Sequence, residues 1–353
     1  MLARPSRRVL LAAVLGMTLV AAASRRDLAG AVRDSNAGRL PTPGQSRGAT
    51  RADEPVEAQM RNVDYHAILS AVLNIHHLRG ELLTKNPGKP PIFDDKNSFS
   101  LKIHSAEIAM TEKSLAGLLN DHVFAYPGSP LGSLEISIEP DRVIQKGVLR
   151  KALRIPFTIA GTVSLTPEGD IRVHPTSIKV AGLSVRKLMQ TFGIELEKLV
   201  KLRQERGVRI SGNDFLLTAD RMLPPPEIQG KVTAVKLERG RMVLTFGSPG
   251  QTTKAALSPP DPRAPNYMYY QGGTLAFGKL TMKGTELQIV DADPRDPFDF
   301  FLDRYNDQLV AGYDENLPDH GLLVHMVDFD KIGKPGGERG KPRVASIAPK
   351  PRS

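Results

Sequence analysis

The sequence predicts an α+β fold: a long curved antiparallel sheet wrapped on one or two long helices, with further strands and a helix near the C-terminus. Three patterns carry this expectation. Leu153, Ile155, Phe157, Ile159, Val163 and Leu165 fall on alternate positions, interrupted only by Gly161, which is the period of a half-buried strand with one apolar face. After Ser184, a capping residue, Val185, Leu188, Met189, Phe192, Leu196, Leu199 and Val200 recur at steps of three and four, the stripe of a helix running to about residue 201. Ile68, Leu69, Val72, Leu73 and Ile75 form a similar stripe across residues 64–79, with Gly80 as a stop.

The other elements follow in chain order. Phe99, Leu101 and Ile103 alternate as a strand. Thr111 caps a short helix over residues 112–120, with Leu115, Leu118 and Leu119 facing inward. Leu134, Ile136 and Ile138 open a strand, and residues 167–170 make the turn from the 153–165 strand into Ile171 and Val173. Val208, Ile210, Phe215 and Leu217 continue the sheet, while Val235, Leu237, Met242 and Leu244 flank a hairpin turn at residues 238–241. Residues 272–282 and Leu287, Ile289 and Val290 read as strands, followed by an aromatic-rich helix over 297–310. These make further strands of the same sheet or a small partner-binding module. Tyr267, Tyr269 and Tyr270 suit core strand positions, an interface or a membrane edge.

The termini set compartment and organisation. Arg4, Arg7 and Arg8 precede an uncharged run from Val9 to Ala23 that ends in small residues, the form of a secretory signal peptide over 1–23. The expected location is the periplasm or cell envelope, reached by the general or the twin-arginine route. Residues 24–60 read as a disordered leader, 61–247 as the main α+β domain and 248–265 as a Pro/Gly-rich linker. Residues 266–330 read as a strand-rich extension with a closing helix, and 331–353 as a disordered basic tail. The chain has no cysteine, which excludes a disulfide scaffold and cysteine-ligated metal.

A net charge of +10 suits an anionic membrane surface or wall polymer. Aromatic residues make up 5% of the chain with no stacking motif, which argues against nucleic acid. Between Asp141 and Arg209, fourteen Lys and Arg stand against six Asp and Glu. Arg150, Lys151 and Arg154 beside the long strand, and Lys198, Lys201, Arg203 and Arg206 at the exit of the second stripe, are the candidate contacts to anionic lipid. A solvated face satisfying a helix terminus is the alternative.

Residues 110–120, with their Thr-capped short helix, the strand at 134–138, the strand at 155–165 and the segment 175–184 entering a helix together resemble the tubular lipid-binding superfamily. The resemblance is to its small exported bacterial phospholipid binders and spans about residues 99–247. It implies a curved sheet around a helix, an apolar channel for acyl chains and no catalytic residues. The vertebrate members' disulfide and second domain copy have no counterpart here.

The expected ligand-binding residues are Ile155, Phe157, Ile159, Leu188, Met189, Phe192 and Leu196, which would line a groove or, alternatively, fill an ordinary core. No cofactor is expected. Asp291, Asp293 and Asp296 miss the calcium-loop pattern, because Asp296 and Leu302 stand where Gly and Glu are needed. His320 and His325, with Asp319, Asp328 and Asp330, lack a metal-binding helix spacing, and His76 and His77 read as half-exposed. The function expected is non-enzymatic binding of a phospholipid, fatty-acyl or other amphiphilic ligand, with a cell-envelope structural or interaction domain as the alternative and a hydrolase third.

Overall fold

The structure, a computed structural model, describes residues 54–150, 153–184, 202–203, 206–247, 254–317 and 320–334. The chain opens with three long strands, β1 (Val56–Ile68), β2 (Ala71–Thr84) and β3 (Phe99–Thr111). Helix α1 (Glu112–Leu118) and one π-helical turn lead into a meander of β4 (Leu131–Glu139), β5 (Arg142–Arg150), β6 (Arg154–Leu165), β7 (Ile171–Val180) and the two-residue β8 (Leu183–Ser184). Next come β9 (Val208–Ser211), β10 (Asp214–Leu217), α2 (Ala219–Met222), β11 (Glu227–Gln229), β12 (Val232–Glu238) and β13 (Arg241–Phe246). The last part holds β14 (Tyr267–Phe277), β15 (Leu280–Asp291), β16 (Phe298–Phe300), α3 (Tyr305–Ala311), β17 (Tyr313–Asn316) and β18 (Leu322–Met326).

These strands build two sheets. The first runs β12-β13-β3-β2-β1-β14-β15-β18-β17, with β11 parallel to the start of β3 and β16 parallel to the end of β1. The second runs β4-β5-β6-β7-β10-β9, with β8 added to β7. One apolar core spans both, from Leu78 and Ile108 in the first sheet to Leu134, Ile138 and Phe157 in the second. Residues after 266 pair directly with the first strand, since β14 lies antiparallel to β1.

The expected α+β class with long helices is overturned. Among the described residues 56% lie in strands and 12% in helices, and the helices are short. The stripe at residues 64–79 is a hairpin: β1 ends at Ile68, Leu69 is exposed at the tip, and β2 begins at Ala71. Two strands of period two joined by a two-residue turn bring apolar residues to three- and four-residue steps, which imitates a helix. Gly80 is a strand residue, and a Cβ there would lie 2.6 Å from the Lys102 carbonyl oxygen. The aromatic helix expected at 297–310 is a strand, a 3-10 turn and then α3, because Phe298 and Phe300 alternate into the core. The second long helix, after Ser184, lies outside the described residues.

One irregularity shapes the first sheet. In β1 the buried series Val56, Ala58, Met60 shifts by one residue to Val63 and Ala67; in β2, Ala71, Leu73, Ile75 shifts to Leu78 and Leu82; in β3, Phe99, Leu101, Ile103 shifts to Ala106, Ile108 and Met110. The extra residues of β1 and β2, Asn62 and His76, sit opposite each other, and that of β3, His104, lies further along the sheet. Asn62 takes a left-handed φ of 49°, which asparagine tolerates, and the β2–β3 register slips at His76 and again between Arg79 and Gly80, opposite His104. Such bulges bend a strand and increase its twist. Placed in three adjacent strands, they curl the sheet while keeping its apolar residues on one face.

Helix α1 closes one side of this curl. The Thr111 hydroxyl accepts the Ser114 amide at 3.1 Å, an N-cap, and the Glu112 carboxylate accepts the Ile138 amide at 2.6 Å. Gly117 lets the helix touch the β1–β2 turn, where an added Cβ would fall 2.0 Å from the Ser70 oxygen. On the outer face, residues 254–266 cross the sheet as a strap. Leu257 exchanges two hydrogen bonds with the buried Gln59 side chain, and Asp261 does the same with Gln288.

Candidate binding cleft

The concave face of the first sheet encloses a cleft. Its floor is Met60, Tyr65 and Ala67 of β1, Leu73, Ile75, Leu78 and Leu82 of β2, and Phe99, Leu101, Ile103 and Ile108 of β3. Phe93, Tyr270, Phe300 and Leu302 form one wall. Leu223, Pro224, Pro226 and Ile228, the entry to β11, lean over the opening. Residues Leu223, Pro226 and Ile228 are half-buried, so this rim faces both cleft and solvent. The atom-free space is ≈ 690 Å³ with the mouth counted, of which ≈ 60 Å³ admits the centre of a water molecule.

Among the described residues the lining is almost wholly hydrocarbon and carries no ionisable group apart from tyrosine. Tyr65 and Tyr270 bring the two hydroxyls. Burial pushes the ionisation of both well above the ordinary tyrosine range, with Asp303 adding to the effect at Tyr65, so both are neutral donors. The Tyr270 hydroxyl meets the Met268 sulfur at 3.8 Å. Phe93 stacks edge-on with Tyr270 and Phe277 at 5.6 and 5.2 Å between ring centres, which fixes the wall. A chain of methylenes finds van der Waals partners throughout such a space, and an ion finds no counter-charge.

Of the residues expected to bind ligand, the described ones, Ile155, Phe157 and Ile159, are not among the residues lining this cleft. Ile155 is half-buried at the start of β6, and Phe157 is buried over Gly147, where an added Cβ would lie 2.9 Å from its ring. Ile159 packs with Ile178 and Ile210 in a small cluster of the second sheet. Leu188, Met189, Phe192 and Leu196 lie outside the described residues. The cleft residues in β1 and β2 were masked in the sequence by the helix-like stripe; their signal was the alternation of Ala71, Leu73 and Ile75.

The basic candidates divide in the same way. Arg150 and Arg154 stand opposite each other at the turn end of the β5–β6 hairpin, with the Arg150 guanidinium lying over Gly132. Arg203 stacks on the Tyr126 ring at 4.7 Å, and Arg206 donates to the His122 carbonyl at 3.3 Å, so both also serve internal contacts. Lys151, Lys198 and Lys201 lie outside the described residues.

Two polar clusters complete the inventory. His66 Nε2 sits 2.5 Å from Asp299 Oδ1 beside the rings of Phe301 and Phe329, and its buried Nδ1 has no hydrogen-bond partner among the described residues. Asp291, Asp296 and Asp328 bring carboxylate oxygens within 4.8 Å of one another. The Lys331 ammonium bridges Asp293, Asp296 and Asp328 at 2.8, 3.1 and 2.8 Å, supplying the positive charge from within the chain. Burial raises the Asp291 carboxyl to about 7, with the neighbouring Asp328 adding to the shift. His325 is apart from this group, stacked on Tyr313 at 4.3 Å with Glu315 3.6 Å away. Comparison with protein-family models, with curated proteins and with solved structures finds no match.

Proposed function

We propose that the protein is an exported, non-catalytic binder of a lipid or other amphiphile, held by its hydrocarbon part in the cleft of the first sheet. The observation that carries this reading is the lining: among the described residues it is aliphatic and aromatic side chains with two neutral tyrosine hydroxyls and no charge. Each buried methylene contributes about 0.8 kcal/mol, so ten of them supply roughly 8 kcal/mol before the cost of ordering the chain. Affinity of that size needs shape and dryness, not a charged anchor. A charged headgroup would stay at the mouth near Leu223 and Ile228, in water.

Export rests on the signal-like residues 1–23, and N-terminal sequencing of the mature protein should begin near Ser24. The binding reading is tested by native mass spectrometry of protein purified without detergent, followed by organic extraction and identification of what is released. The expected result is a mass adduct that disappears on unfolding and is recovered in the organic phase. Absence of any adduct, together with failure of the emptied protein to take up a fluorescent fatty-acid or phospholipid probe, would refute it in favour of a closed structural core.

A further inference from the structure

The end of the second sheet where β6 begins and β7 finishes carries a separate arrangement of side chains. Strand pairing places Phe157 beside Val180, and the Ala181 amide bonds to the Pro156 carbonyl at 2.8 Å, so the β5–β6 and β7–β8 turns share this end. Each turn presents a leucine to solvent. Leu153 is 69% exposed and Leu183 54%, whereas the inward residues of the same strands, Phe157 and Ile178, are buried. Ala181 and Gly182 hold the left-handed φ values of 48° and 80° that make a tight hairpin, and Leu183, the register partner of Val180, is exposed beyond it.

Positive charge surrounds the two leucines. Arg150, Arg154 and Lys179 are exposed, and none of them forms an ion pair among the described residues. No Asp or Glu occurs at residues 148–156 or 177–184. Arg150 and Arg154 even occupy directly opposite register positions, a like-charge juxtaposition that weakens a hairpin standing alone in water. Exposed apolar side chains at a turn tip, beside exposed cations that form no ion pair among the described residues, match the boundary of an anionic bilayer: leucine enters the acyl region while arginine and lysine meet phosphate.

We propose that this end of the second sheet docks on an anionic lipid surface, with Leu153 and Leu183 inserted and Arg150, Arg154 and Lys179 at the headgroups. The inference goes beyond the cleft reading and does not depend on it, because the cleft lies in the other sheet. The chain contains no tryptophan, so a Leu153→Trp variant carries one selective reporter. With vesicles of phosphatidylcholine mixed with phosphatidylglycerol, its emission should shift to the blue; with phosphatidylcholine alone it should not. Leu153→Ser combined with Leu183→Ser, and separately Arg154→Glu combined with Lys179→Glu, should each weaken wild-type co-sedimentation with the mixed vesicles roughly tenfold or more. Both double variants should retain the wild-type melting temperature and uptake of the fluorescent cleft probe. Equal binding to both vesicle types, no binding to either, or a wild-type dimer that the leucine substitutions dissociate would overturn the proposal. Loss of probe uptake with vesicle binding intact would count against the cleft alone.

Discussion

Ala67→Leu gives the sharpest test of the cleft. Ala67 is 8% exposed, lies near the β1–β2 turn, and lines the cleft floor at the margin of the packed core. Leucine adds three carbons there. If each displaces one ligand methylene worth about 0.8 kcal/mol, binding weakens by roughly 2.4 kcal/mol, on the order of fiftyfold in Kd. The empty protein should keep or slightly raise its melting temperature, because the new side chain fills space instead of creating strain. In a sealed core the same change overpacks and costs about 1–3 kcal/mol. Displacement of a fluorescent acyl probe gives the Kd, and thermal unfolding of the ligand-free protein gives the stability. A variant that binds the probe as tightly as wild type, or one that melts well below it, would refute the placement of the ligand.

The remaining predictions concern stability. Thr111→Ala removes the hydroxyl that accepts the Ser114 amide and should cost about 1 kcal/mol in urea unfolding, with Thr111→Ser close to wild type. Gly117→Ala drives a methyl into the Ser70 carbonyl at 2.0 Å; α1 must lift from the β1–β2 turn, and a loss of about 1–3 kcal/mol is expected, with unchanged stability showing that the helix can shift freely. The Asp291 carboxyl, raised from 3.8 to about 7 chiefly by burial, keeps its proton in the folded chain where the unfolded chain releases it. Its contribution is therefore complete below about pH 4 and is lost as pH rises to about 7, at no more than about 1.4 kcal/mol per pH unit. Urea titrations across that range should show the decline in wild type and a flatter profile in Asp291→Asn.

The second sheet and α1 were the readable parts of the sequence. In β4, Leu134, Ile136 and Ile138 are buried and Glu135 and Ser137 exposed, so one face meets the core and the period of two survives. Thr111 and the three leucines after it announced α1 by capping and spacing together. The first sheet hid itself because its long strands change parity partway. Leu78 and Leu82 follow Ala71, Leu73 and Ile75 out of phase, and a reader of periodicity meets a three-residue step where the chain only bulges. The cleft was hidden for a different reason. Its lining comes from Met60, Phe93, Leu223, Tyr270 and Phe300, far apart in sequence, and adjacency arises through β1–β14, β1–β16 and β11–β3 pairing and the Ile92–Ala276 bridge. The basic candidates were visible as composition, but their partners were not: Arg206 donates to the His122 carbonyl at 3.3 Å, and Arg203 lies on an aromatic face.

The bulges in the adjacent strands β1, β2 and β3 also constrain how this chain can change over time. Deleting Asn62 alone would leave half of β1 facing the wrong way, exchanging Val63 and Ala67 for Asp64 and His66 on the concave side. Removing the matching residues near His76 and His104 at the same time would restore a common phase and give a flatter sheet. The three positions thus behave as one inherited unit. Single deletions should prevent expression of folded protein, the triple deletion should fold, and any diverged descendant that has lost one of the three residues should have lost the others with it.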